Sequence, residues 1–558
     1  MLANISGIII YTNNLTYIFI ALLPNFQCSN LTDSQLVAYN ISYGDNEVEY
    51  SQCHISIKPK KYQNVSAEPM ILECLNGYNY TTPVDKSIVS QWDLVCQRAG
   101  LAELSQTIYI LGQLIGSLFM PIQMEYFGRR PIHIICNILI LPLNILCAYS
   151  PFFWLFTITR FFNGVLIQGY LISTCTVITE MFPASKRNLM TGLSSLIFSF
   201  TILIFELTVY LVRYKSWHVL VICCACFSSY GIIEIIFFQE SLRWLFAKGK
   251  VKKAKDMIQY AAKLNNADYE QTWQIALEQT DILSETECTE LVEIHKKNNK
   301  HSMSEERMSE NKETTKLQPK IDVFEKENQE NRKSLKSRWF GIIAIMQYSY
   351  TRSISFIIVL NWLAITMTYH SFFILSETLS GDLYLNFLFL CLIEIISCII
   401  YWPTIVRFGH KKPLATASSF GSLCLIIAAI LKGFGGESKE INIFFMVFFM
   451  LAMLGTGSAF GGLFLYTPEL YPTEVRSVGL GLCSASARLG NMMAPFARTL
   501  ATYSAWAPSV LFGSACIISS ILLSWGLPET FKKRLPQTMY ELKQIQESQK
   551  LRPQEQKA

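Results

Sequence analysis

One guanidinium, Arg488, stands near the middle of a helix-compatible stretch of mostly small residues running from Gly479 to Pro495. The stretch reads Gly-Leu-Gly-Leu-Cys-Ser-Ala-Ser-Ala-Arg-Leu-Gly-Asn-Met-Met-Ala-Pro. Apolar runs long enough to span a bilayer lie on both sides, which puts this charge at membrane depth. An arginine at the centre of a spanning helix costs roughly 2.5–3.5 kcal/mol on insertion scales. Such a residue normally faces a bundle interior or a water-filled cavity, where it can bind an anionic group. The plainer alternative is an arginine that reaches an interface or pairs for structure alone. Catalytic patterns are missing. The chain has no His-Glu-x-x-His and no Gly-x-Ser-x-Gly, and the run from Gly455 to Gly462 lacks the lysine of a phosphate-binding loop. That run lies inside an apolar segment, and Gly457 and Gly461, four apart, read there as a close helix contact. No enzyme activity and no cofactor are expected.

The elements that must position Arg488 follow from composition. Hydrophobic residues make up 51% of the chain and charged residues only 16%, the balance of a polytopic α-helical membrane protein. The net charge of +5 points to no nucleic-acid partner, because many Lys and Arg residues sit in loops, where they set orientation. Most of the 16 cysteines lie in apolar segments and act as small hydrophobes. For Cys223, Cys224 and Cys226 no His or carboxylate offers a matching tetrahedral set, so no metal is expected.

Residues 1–24 form a short first span, Ile8 to Ile10 and Tyr17 to Leu23, interrupted by Thr12, Asn13 and Asn14. No basic segment precedes it, which argues against a cleaved signal peptide. Residues 25–98 are polar and carry Cys28, Cys53, Cys74 and Cys96 with sequons at Asn30, Asn40, Asn64 and Asn79. Disulfides and glycosylation on the oxidising side of the membrane are expected, and four cysteines leave three pairings open. Five spans follow, at about 100–123, 132–150, 152–177, 189–212 and 217–238. Gly112 and Gly116, four apart, should let the second helix approach a neighbour closely. Residues 240–338 are a hydrophilic loop. It begins as amphipathic helix, with Leu245, Ala254, Met257, Ile258, Ala261 and Leu264 near helical spacing, and is disordered in its later part by composition. Six more spans follow, at about 354–376, 383–402, 413–432, 441–465, 477–499 and 507–527, before a tail at 528–558. Basic Gly128-Arg129-Arg130, Lys186-Arg187 and Lys532-Lys533-Arg534 place those loops and both termini in the cytoplasm.

An internal repeat organises these spans. Glu180-x-x-Pro183-x-x-x-Arg187-x-x-x-x-Gly192-Leu193-x-Ser195 recurs 289 positions later as Glu469-x-x-Pro472-x-x-x-Arg476-x-x-x-x-Gly481-Leu482-x-Ser484. Glu240 before Ser241 matches Glu529 before Thr530 at the same offset, and Phe127-Gly128-Arg129-Arg130 corresponds to Phe408-Gly409-His410-Lys411. The expected fold is therefore all-α: twelve transmembrane helices in two pseudo-symmetric six-helix halves that rock about a central site. Glu125, Arg129, Arg130, Glu180, Arg187, Glu240, Lys411, Glu469, Arg476 and Glu529 are the candidate gate residues, pairing at helix ends in one state and parting in the other. Alternatively they are topology signals and helix caps.

Five motifs in order carry a resemblance: Gln91-Trp92-Asp93-Leu94-Val95-Cys96, Phe127-Gly128-Arg129-Arg130-Pro131, Gln239-Glu240-Ser241-Leu242-Arg243-Trp244-Leu245, Glu469-Leu470-Tyr471-Pro472-Thr473-Glu474-Val475-Arg476 and Leu527-Pro528-Glu529-Thr530. Together they resemble the organic ion transporter family (solute carrier family 22) of the major facilitator superfamily, over nearly the whole chain. The resemblance implies movement of small organic ions across the plasma membrane by alternating access. Pro121, Glu125 and Tyr126 depart from the family's Gly-x-x-x-Asp-Arg-x-Gly-Arg-Arg motif. In the second half Val406 stands where an acid is usual, so a weaker gate is expected.

The resemblance also bears on substrate charge. Cation carriers of the family place an Asp at the position of Arg488, whereas anion and carnitine carriers place an Arg. Tyr369, His370 and Phe373 match the family's aromatic substrate-facing stretch, and ring faces hold quaternary ammonium groups; ordinary helix packing is the alternative. Glu394 lies in the eighth span, and no Lys or Arg follows between Ile395 and Trp402. One buried Arg and one buried Glu in the same half suit a carnitine-like zwitterion, unless they pair only with each other. An organic anion of the monocarboxylate or urate type, or an organic cation, is the alternative substrate. A carrier-like receptor or adhesion protein that transports nothing is the alternative function. His370 is read as a packed histidine rather than a proton relay. No coupling ion is assigned.

Overall fold

The computed structural model describes residues 7–39, 41, 46–59, 70–181, 184–248, 250–273, 275, 345–379, 381–435, 438–471 and 475–530. The sequons at Asn40 and Asn64, the later part of the central loop and the tail beyond 530 lie outside them, as do the side chains of Arg187 and Arg476. Two units result, one of Met1–Ile178, Phe182–Phe238 and Ile345–Ala558, the other of Thr179–Met181 and Gln239–Ala344.

The larger unit is helical where the sequence is apolar. Its first half contains α1 (Gly7–Ile20), α2 (Gly100–Phe127), α3 (Arg129–Ala148), α4 (Phe153–Met181), α5 (Ala184–Val212), α6 (Trp217–Phe227) and α7 (Gly231–Phe237). In the smaller unit, α8 (Leu242–Ala247) and α9 (Val251–Leu264) follow. The second half has α10 (Ser349–Leu375), α11 (Leu383–Phe408), α12 (Lys411–Phe434), α13 (Lys439–Leu470), α14 (Arg476–Met493), α15 (Phe496–Tyr503) and α16 (Ala507–Gly526). Among the described residues nine helices are long and apolar enough to cross a membrane. The three remaining expected spans are the short α1, the pair α6 and α7 joined by a 3₁₀ turn at Ser228–Tyr230, and the small-residue pair α14 and α15 broken at Pro495.

Thr12, Asn13 and Asn14 do not interrupt α1, contrary to the expectation from polarity. Thr12 Oγ1 and Asn13 Nδ2 donate back to the Ile9 carbonyl at 3.0 and 2.7 Å, so their polarity is satisfied within the helix. Gly128, between α2 and α3, and Gly409, between α11 and α12, take positive φ of 108° and 86°. That conformation favours glycine, and its recurrence at matching points of the two halves is the repeat made visible in the backbone. In the smaller unit, Ala254, Ile258 and Ala262 form the buried stripe of α9, while Leu264 is exposed rather than part of it.

The polar segment after α1 folds into two small antiparallel sheets. β1 (Phe26–Cys28) pairs with β5 (Tyr78–Tyr80), and β2 (Asn46–Tyr50), β3 (Ile55–Pro59) and β4 (Met70–Leu72) form the other. The disulfides are Cys28–Cys74 and Cys53–Cys96, which selects one of the three pairings. Asn30 and Asn79 are both exposed there. The core of this segment is small, Leu31, Leu36, Ile41, Ile55 and Ile57 around Cys28, so the bridges carry much of its stability. Replacing Cys28 and Cys74 together by serine is expected to cost about 2–5 kcal/mol. Limited proteolysis between residues 25 and 98 should then run at least about thirtyfold faster. Unchanged proteolysis would show that the sheets hold without the bridge.

Candidate functional site

The seam between the two halves brings α1, α2, α10 and α14 together. Arg488 on α14 reaches across it and donates from Nη1 to Gln113 Oε1 on α2 at 3.2 Å. Gln113 in turn donates to Asn14 Oδ1 of α1 at 2.6 Å and to the Tyr109 hydroxyl at 3.2 Å, and Tyr109 donates to Asn14 Oδ1 at 2.9 Å. Arg488 is thus held by a neutral amide, and its Nε is buried without an acceptor. A guanidinium in this state retains donors for a carboxylate.

His370 sits beside it. Its Nδ1 bonds the Thr366 carbonyl at 2.9 Å, which assigns the proton to Nδ1, and Asn491 Nδ2 donates to Nε2 at 3.5 Å. Both ring nitrogens therefore have partners. A cavity of about 20 Å³ lies between the halves, lined by Asn14, Tyr17, Gln106, His370 and Asn491 among others. That is room for about one water molecule.

Tyr369 stacks on Phe460 of α13 at 4.4 Å and 11°, and His370 stands edge-on to the same ring at 6.1 Å. Phe373 packs edge-on against Tyr369 at 5.5 Å and against Phe387 at 5.4 Å, and both Tyr369 and Phe373 belong to the apolar core. Glu394 on α11 is 6% exposed, and Tyr369 and Tyr11 are the phenols that face its carboxylate. The missing side chain of Gly457 makes its space: a Cβ there would stand 2.8 Å from Glu394 Oε2. Gly457 is a close contact as expected, but Gly461 is not, since nothing lies within 4 Å of its would-be Cβ. Among the described residues no ion pair joins Arg488 to Glu394.

Two further guanidiniums are buried in the bundle, Arg160 among first-half residues and Arg498 at the seam. Arg160 on α4 bonds Gln106 Oε1 and lies 4.4 Å over the Tyr109 ring, and Arg498 on α15 pairs with Glu377 at 2.7 Å. Each is a charge within an expected apolar span, the signal that singled out Arg488, and the same rule would have found both. Asn14, Tyr109 and Gln113 offered no such signal, because neutral polar residues are common in spanning helices.

The candidate gate residues are spread among several contacts. Arg129 Nη1 approaches the Met124 carbonyl at 3.5 Å and Arg130 Nη2 donates to the Ile235 carbonyl at 3.0 Å. Glu240 and Glu529 accept from the following backbone N–H, of Ser241 and Thr530. Glu469 takes His410 Nε2 at 3.2 Å and the Thr530 hydroxyl at 2.5 Å. His410, next to the expected Lys411, is thus one of the side chains that meet Glu469. Glu125 is exposed, and Glu180 lies near the end of α4.

Against known proteins, the sequence matches the Major Facilitator Superfamily over residues 97–495. Solute carrier family 22 member 7 of Rattus norvegicus is 24% identical over 94% of this chain and 91% of that protein. Organic cation/carnitine transporter 2 of the same species is 25% identical over 85% and 74%, and solute carrier family 22 member 15 of Xenopus tropicalis 27% over 82% and 75%. In three dimensions the chain resembles the inward-open xylose transporter XylE from E. coli, with a TM-score of 0.58 at 12% identity, covering 98% of each chain. XylE bound to 6-bromo-6-deoxy-D-glucose gives 0.57 at 13%. These two likenesses concern the fold alone.

Proposed function

Because this chain belongs to the Major Facilitator Superfamily, within its organic ion transporter family, we propose that it carries a small zwitterion of the carnitine type by alternating access. In this reading it is a plasma-membrane carrier with both termini in the cytoplasm. The substrate carboxylate binds Arg488 in the fork geometry a guanidinium offers. Its ammonium end lies toward the stacked Tyr369 and Phe460 rings and Glu394. One observation carries the proposal: a half-buried guanidinium and a buried carboxylate share one half of the bundle, Arg488 bonded to a neutral amide and Glu394 Oε2 with no hydrogen-bond partner, and no ion pair joins the two among the described residues. A zwitterion that bridges them compensates both.

A second reading, an organic anion, has Arg160 in its favour, since among the described residues that buried guanidinium has the Gln106 amide and aromatic rings as partners. Uptake by cells displaying the chain, competed with carnitine, urate and tetraethylammonium, separates the possibilities. Carnitine is expected to compete best, and Glu394→Gln should weaken carnitine at least tenfold while leaving urate within twofold. Urate as the sole competitor would favour the anion reading. A wild-type chain that moves none of the three would favour a receptor that no longer transports.

A further inference from the structure

Where α1 runs into the disulfide-linked segment, a short stretch of main chain is pinned from both halves. Ser87 Oγ donates to the carbonyls of Ile20 at 3.1 Å and Leu22 at 2.6 Å. Lys86 Nζ bonds the carbonyls of Arg213 and Lys215 beyond α5, the latter at 3.0 Å. These contacts fasten the outer segment to the first half. From the second half, Arg498 Nη1 donates to the Ala21 carbonyl at 2.5 Å, while its Nη2 pairs with Glu377 Oε2 at 2.7 Å. Glu377, in the turn after α10, accepts the Leu23 N–H through Oε1 at 3.2 Å. The Tyr17 ring lies 5.7 Å from the guanidinium, and the buried Glu103 of α2 faces it from the first half.

We propose that Arg498 and Glu377 form the outer gate of this carrier, a two-point latch that grips the main chain at Ala21 and Leu23 and lets go when the halves part on the disulfide-bearing side. The pair lies within the second half, but both bonds it makes outward end on the first. Parting the halves there must break them, whereas the Ser87 bonds, made within the first half, stay whole. Because the first-half partners are main-chain groups, the side chains at positions 21 and 23 are dispensable to the latch. The charges of Arg498 and Glu377 are not. An ion pair this protected is strong only while both members are present, and replacing both by apolar residues of similar size removes the pair together, leaving only the Glu103 carboxylate without the guanidinium that faced it. The latch is independent of which ion is carried.

The test needs no substrate. In the full chain, Ile374→Cys places a thiol on the cavity between the halves, and modification by the impermeant reagent MTSET is followed at that peptide by mass spectrometry. In the Arg498→Met/Glu377→Met background the rate from the disulfide-bearing side is expected to rise tenfold or more. Glu377→Gln, which keeps an acceptor for Leu23, should give a smaller rise, and Leu23→Ala less than twofold. A double-variant rate within twofold of the parent overturns the latch. So does an equal rise from the opposite side in inside-out vesicles, which would mean general loosening. Either failure leaves the transport reading standing, because no uptake enters the measurement.

Discussion

Replacing Arg488 by alanine is expected to raise the KM for uptake about a hundredfold or more while the protein still reaches the surface. Two parallel charge-assisted bonds to a carboxylate are worth about 3 kcal/mol or more together, and each 1.4 kcal/mol is about a tenfold change in affinity. Folding should survive, because the substitution removes an intramembrane charge that costs roughly 2.5–3.5 kcal/mol to insert. What it breaks is a single bond to Gln113 across the seam. Arg488→Lys keeps the charge but loses the planar fork, so it should fall between the two. Concentration-dependent uptake of radiolabelled carnitine, normalised to surface protein, reads both variants. A KM within twofold of wild type for Arg488→Ala would remove the proposed anion site.

Gly112→Val is expected to have the larger effect on the protein itself, removing most of the folded chain from the membrane. A Cβ at Gly112 would stand 2.1 Å from the Phe161 carbonyl oxygen, and one at Gly116 2.7 Å from that of Val165. From the other side, a Cβ at Gly164 would meet the Tyr109 carbonyl at 2.2 Å. These neighbours are backbone, so no side chain can swing away; α2 and α4 would have to separate. Overpacking costs about 1–3 kcal/mol where a core can adjust, and here the adjustment would pull Tyr109 and Gln113 from their partners. Gly461→Ala, with open space around it, is the matched control and should be tolerated. Surface abundance and thermal aggregation of the two variants give the comparison, and a normally abundant, normally stable Gly112→Val chain would refute the close-contact account.

Most of the architecture was legible before any coordinates. Bilayer thickness imposes a length on every apolar run, and duplication left Glu180 and Glu469, Gly128 and Gly409 as matching punctuation. Legibility was poorer for α1, α6 with α7, and α14 with α15, where helices are short, broken or rich in small residues. In α1 the misreading had a specific cause. Thr12 and Asn13 look like breakers in a sequence, yet each bonds back to Ile9 once a helix exists.

The site divides along the same line. That Arg488 and Glu394 are charges within the spans of one half follows from sequence alone, and hydrocarbon penalises an isolated charge wherever it falls in a span. Which groups answer those charges was decided by tertiary structure. Gln113 lies 375 positions from Arg488, and Glu377 comes within 3.2 Å of a main-chain N–H 354 positions away. No periodicity links such residues, since only the packing of one half against the other brings them together. The same holds for the disulfides: four cysteines set the number of possible pairings, and the order β1 beside β5 chose between them by bringing Cys28 to Cys74.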